Sequence, residues 1–125
     1  MGIEQSRVVI IGILFLCTFF SGFGLSYFPK PYSVLLMTVH KLLALGAIVL
    51  IGVLVVKAHR IAGLSRLEWT GWLSAGFVLL IAFITGALLT ASKPAPGALM
   101  AHRIAPYFAV TLTAATLYIS FLKAR

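Results

Sequence analysis

From Val8 to Phe28 the chain carries no charged side chain. An uninterrupted apolar run of that length is enough for one helical crossing of a bilayer, whose core is about 30 Å thick. Three further runs follow, giving spans expected at 8–28, 33–58, 69–91 and 98–122. The residues are 62% hydrophobic and 10% charged over 125 positions, more apolar than a soluble domain requires. Backbone polar groups inside hydrocarbon must bond internally, so the runs are read as helices, and the alternation of a membrane barrel is absent. The expected class is an all-α membrane protein, a single transmembrane domain over 1–125.

Proline and charge punctuate the runs. Pro29-Lys30-Pro31 ends the first, because neither ring continues a helix. Lys57-Ala58-His59-Arg60 ends the second, and a polar connector is expected from Ile61 to Glu68. Ser92-Lys93-Pro94-Ala95-Pro96-Gly97 separates the third from the fourth. Short connectors make consecutive helices antiparallel neighbours, hence a four-helix bundle. Arg7, Lys57, Arg60, Arg66, Lys123 and Arg125 fall on one side, and Lys30, Lys41, Lys93 and Arg103 on the other. That bias puts both termini in the cytoplasm of a bacterial or archaeal plasma membrane. It also accounts for the net charge of +8 without nucleic acid. Trp69 and Trp72 suit an interfacial belt. The first run exceeds the roughly 7–15 apolar residues of a signal peptide, so a span is expected there. Met1-Gly2-Ile3-Glu4-Gln5-Ser6 matches a myristoylation pattern, which a four-span chain does not need. Cys17 lacks an intrachain partner.

One segment occurs twice. Leu36-Met37-Thr38-Val39-His40-Lys41 and Leu99-Met100-Ala101-His102-Arg103 each set a histidine and a cation near the start of an apolar run. Gly22 precedes His40 by 18 residues, and Gly86 precedes His102 by 16. Lys30-Pro31 and Lys93-Pro94 also correspond. The chain therefore reads as two tandem helix-pair repeats about an axis along the membrane normal. Counted from the cytoplasmic ends, both histidines lie about 25–30 Å out, in the outer leaflet. Ionisable residues inside a membrane are functional by default.

Two matched imidazoles are what a single haem b iron takes as axial ligands. His40 and His102 are the expected metal ligands. Ala44 and Ala47 follow on the His40 face, and Ala105, Ala109 and Thr113 on the His102 face, small residues that leave a slot or simply let helices pack. Gly22 and Gly86 allow a flat ring to approach the backbone. Lys41 and Arg103 either pair with the haem propionates or snorkel to headgroups. Pro106 removes the donor to the His102 carbonyl. His59 has no fourth histidine to partner it and is read as a headgroup-region residue. Met37 and Met100 are read as packing. Tyr27, Tyr32 and Tyr107 line a quinone pocket or belong to the interfacial belt.

On these histidines and their His-Lys and His-Arg motifs, the chain resembles the small membrane-bound b-type cytochromes, whose four-helix bundles hold haem between paired histidines. The resemblance implies electron transfer between a quinol pool and an outer-side acceptor, or within a complex with a redox partner subunit or a second copy. It differs in supporting one haem where many such cytochromes hold two. Three other classes compete. One is a cofactor-free accessory or assembly subunit whose histidines bond between helices. Another is a small transporter, although Glu4 and Glu68 are expected outside the spans. The last is a non-haem metal site, for which two histidines are few. Asp is absent and no hydrolytic constellation appears, so a redox carrier is favoured over a stand-alone enzyme.

Overall fold

The computed structural model describes residues 2–28, 31–90 and 96–123. Lys30, Lys93 and Arg125 lie outside these residues, as does the expected end of the third span at Ala91. Among the described residues there are four helices and no strand: α1 (Ile3–Tyr27), α2 (Val34–Ala62), α3 (Arg66–Leu88) and α4 (Ala98–Lys123). Three stretches, Gln5–Tyr27, Val34–Ala62 and Arg66–Leu88, are long and apolar enough to cross a membrane. Their outward faces carry large apolar side chains such as Phe20, Leu35, Leu73 and Phe77. Contact with a lipid bilayer is the setting in which such a surface is stable.

Helix ends differ from the expected span ends because of capping. α1 starts at Ile3, where the Gln5 side chain accepts the Gly2 N–H at 3.1 Å and Ser6 Oγ donates to the Gly2 carbonyl at 3.2 Å. α2 runs on to Ala62 and stops at Gly63, whose φ of +68° lets its N–H reach the His59 carbonyl at 2.9 Å. That is the left-handed glycine cap of a helix C-terminus. Gly63→Ala is expected to cost about 1 kcal/mol, the penalty for a Cβ in the left-handed region. A lowered thermal midpoint with an unchanged helical spectrum would register it.

The connector expected over Ile61–Glu68 is thus only 63–65. Ser65 caps α3 by accepting the Glu68 N–H at 3.2 Å, and Glu68 returns by accepting the Ser65 N–H at 2.8 Å. This reciprocal box, Ser-x-x-Glu, draws Glu68 into the first turn of α3. Glu68 is therefore helical, one residue before the expected start of the third span at Trp69. Glu68 is 2% exposed, and its other oxygen accepts from Ser120 Oγ at 2.8 Å. α4 continues through Pro106.

The chain forms two compact units, Met1–Lys57 and Ala58–Arg125. The division falls at the junction of the two sequence repeats. In the first unit, α1 and α2 run antiparallel: Gly46 lies by Leu14, His40 by Gly22 and Leu36 by Gly24. Ile11, Ala47, Ile51 and Leu54 are its buried apolar residues. In the second unit, α3 and α4 are antiparallel, with Glu68 bonded to Ser120, Gly71 against Thr116 and Gly86 against His102. Trp72, Ala75, Ala105, Ala109, Thr113 and Thr116 are buried there.

Candidate functional site

Each unit holds one of the repeated histidines in the same cradle. His40 lies on α2 and reaches back to α1. Its Nδ1 is 3.0 Å from the Thr18 carbonyl oxygen and 2.9 Å from Ser21 Oγ, and its Cε1 edge lies against Gly22. His102 lies on α4 and reaches back to α3. Its Nδ1 is 2.7 Å from the Ala82 carbonyl oxygen and 3.3 Å from Thr85 Oγ1, with Gly86 against Cε1. The order along the supporting helix is the same: a carbonyl, a hydroxyl three residues later, then a glycine. The spacing puts all three on one helical face.

A carbonyl oxygen only accepts, so both Nδ1 atoms must carry the proton and donate it. The hydroxyl protons have other destinations. Ser21 Oγ donates to the Thr18 carbonyl at 3.0 Å, and Thr85 Oγ1 donates to the Ile81 carbonyl at 2.7 Å and the Ala82 carbonyl at 3.1 Å. In the neutral imidazole the lone pair is then on Nε2, the nitrogen through which a histidine whose Nδ1–H is held by a carbonyl binds a metal. His59 is in the opposite state. The Leu64 N–H donates to its Nδ1 at 3.4 Å, so the proton is on Nε2, and the exposed ring stands edge-on to Trp69 at 5.3 Å between centroids.

The glycines have a specific job. A Cβ on Gly22 would meet His40 Cε1 at 3.1 Å, and one on Gly86 would meet His102 Cε1 at 2.8 Å. The flat ring packed against each glycine is therefore the imidazole itself. Lys41 and Arg103 are exposed, and neither has a bonded partner among the described residues. Ala47, Ala105, Ala109 and Thr113 are all buried, with Ala44 half-buried. Beside His102, Ala101 and Ala105 belong to an open apolar groove of about 410 Å3 with Val78, Ile81, Ile104 and Phe108. Tyr27 and Tyr107 are exposed, Tyr32 is half-buried, and Cys17 is exposed.

Sequence reasoning missed Ser21 and Thr85. Thr18-Phe19-Phe20-Ser21-Gly22 and Ala82-Phe83-Ile84-Thr85-Gly86 align once the glycines are superposed, and the shared hydroxyl before glycine was the available signal. Among the described residues there is no group of three or more His, Cys, Asp or Glu side chains arranged to hold a metal ion. No family model, curated protein or solved structure matches this chain.

Proposed function

We propose that the chain is a four-span membrane b-type cytochrome, or the haem-bearing subunit of one, in which His40 and His102 ligate a single haem b. The observation that carries this reading is the repeated cradle: two histidines in matched positions, each with Nδ1–H given to a backbone carbonyl and the lone pair on Nε2. When bound, the haem iron supplies one-electron chemistry, which passes electrons between a quinol pool or partner subunit and an outer-side acceptor. The Thr18 and Ala82 carbonyls orient the rings and raise their basicity as ligands. Lys41 and Arg103, exposed beside each histidine, offer positive charge to anionic propionates. The groove beside His102 offers an apolar wall. With both termini cytoplasmic, this site lies toward the outer leaflet.

A second reading has its own support. Each imidazole is already bonded within its own helix pair, and Ala47 and Ala109 are buried rather than facing an open slot. On that reading the histidines are polar clamps between helices, each worth about 1 kcal/mol in a membrane, and the chain is a cofactor-free accessory subunit.

The two are separated by a dithionite-reduced minus oxidised spectrum of the purified protein. A sharp α-band is expected, with one haem per chain, and it should be absent from His40→Ala and from His102→Ala but retained in His59→Ala. Protein that stays colourless after incubation with haem would leave the clamp reading standing.

A further inference from the structure

The turn between α2 and α3, wholly within the second unit, gathers a set of side chains that the proposed haem chemistry does not use. Arg60 and Arg66 are both exposed at this turn, and neither guanidinium group has a bonded partner among the described residues. Glu68 is the only carboxylate side chain described, and it is buried, occupied by the Ser65 N–H and Ser120 Oγ. Each arginine is followed by a large exposed aliphatic residue, Ile61 at 71% and Leu67 at 61% exposure. Trp69, 37% exposed and braced by the His59 ring, completes the group. The short connector keeps these elements together, because Gly63 caps α2 and Ser65 caps α3 with only Leu64 between.

We propose that this turn is a binding site for an anionic phospholipid, with Arg60 and Arg66 on the headgroup phosphate and Ile61, Leu67 and Trp69 against the glycerol and upper acyl chains. Guanidinium forks bind phosphate through two parallel N–H···O bonds, which suits them to this headgroup. No exposed carboxylate is described here to receive a choline or ethanolamine cation, so a net negative headgroup is selected over a zwitterionic one. The exposed aliphatics distinguish a lipid from a soluble phosphate, which would gain nothing from them. Aromatic residues braced at the headgroup level are the usual anchors of such a surface. The inference is independent of whether haem binds.

Trp69 is a built-in reporter, since Trp72 is buried at 6% exposure. The full-length protein is reconstituted into vesicles of phosphatidylcholine containing a small fraction of brominated phosphatidylglycerol or brominated phosphatidylcholine. Bromine quenches tryptophan fluorescence on contact. Brominated phosphatidylglycerol is expected to quench at roughly thirtyfold lower mole fraction than brominated phosphatidylcholine, about fivefold for each of the two arginines near an anionic surface. The preference should vanish in the Arg60→Gln/Arg66→Gln variant and survive in part in Arg60→Lys/Arg66→Lys. Equal quenching by the two lipids in the wild-type protein overturns the proposal, whether or not the glutamine variant folds. So does displacement of phosphatidylglycerol by inorganic phosphate, which would mark the turn as a site for the soluble ion.

Discussion

Alanine in place of Gly71 is expected to destabilise the protein by about 1–3 kcal/mol, the usual cost of forcing a methyl group into a filled interface. The added Cβ would run into Thr116 Oγ1, with Thr116 Cγ2 at 2.9 Å and Cβ at 3.1 Å. Thr116 has little room to yield. It is 2% exposed, β-branched and stiff about χ1, and its hydroxyl donates to the Leu112 carbonyl at 2.7 Å. Relief therefore requires α3 and α4 to separate. The better helix propensity of alanine, about 1 kcal/mol over glycine, offsets only part of this. Gly76→Ala, on the same helix with nothing within 4 Å of its Cβ, carries the propensity gain alone and is expected to be neutral or stabilising. Titration with a denaturing detergent, followed by circular dichroism, measures both. Thr116→Ala removes the Oγ1 and Cγ2 contacts, so it should recover most of the loss when combined with Gly71→Ala. A double variant no better than the single one would show that the collision is not the cause.

The same accounting explains what the sequence made legible and what it hid. Four helices followed from four apolar runs, because a chain in hydrocarbon has few other ways to satisfy its backbone. Their ends did not follow, because caps belong to single residues outside the apolar pattern. Gly63 stops α2 four residues past the expected Ala58, and Ser65 with Glu68 starts α3 three residues before Trp69. The Ser-x-x-Glu spacing was present in the sequence, but a reading by hydropathy alone files Glu68 with the connector. The histidine pair was legible because it repeats. Its cradle was not, because half of it is backbone: the Thr18 and Ala82 carbonyls leave no mark on residue identity. The hydroxyls are serine in one copy and threonine in the other, which masks the correspondence. Gly22 and Gly86 were legible as places where something flat approaches, whereas the nature of the flat group depended on side-chain direction.

Gly86→Ala is expected to be more damaging than Gly22→Ala, for a reason that can be isolated. At position 86 the new methyl would lie 2.8 Å from His102 Cε1 and 3.2 Å from Nδ1, while at position 22 the corresponding separations from His40 are 3.1 and 3.6 Å. The closer approach cannot be absorbed by a few tenths of an ångström. The His102 ring must swing away from α3, and its 2.7 Å bond to the Ala82 carbonyl breaks. Leaving a half-buried N–H without that acceptor costs about 1–3 kcal/mol, more than alanine returns through helix propensity. In the His102→Ala background there is no ring to displace, so the same glycine substitution should cost nothing or stabilise. A Gly86→Ala penalty of equal size in both backgrounds would place its origin in the backbone and remove the cradle from the account. The cycle reads the histidine's fixation by stability alone. The α-band of Gly86→Ala then adds a separate test. With both imidazoles present and one misdirected, a two-histidine haem site should lose its low-spin spectrum, whereas a site ligated elsewhere would keep it.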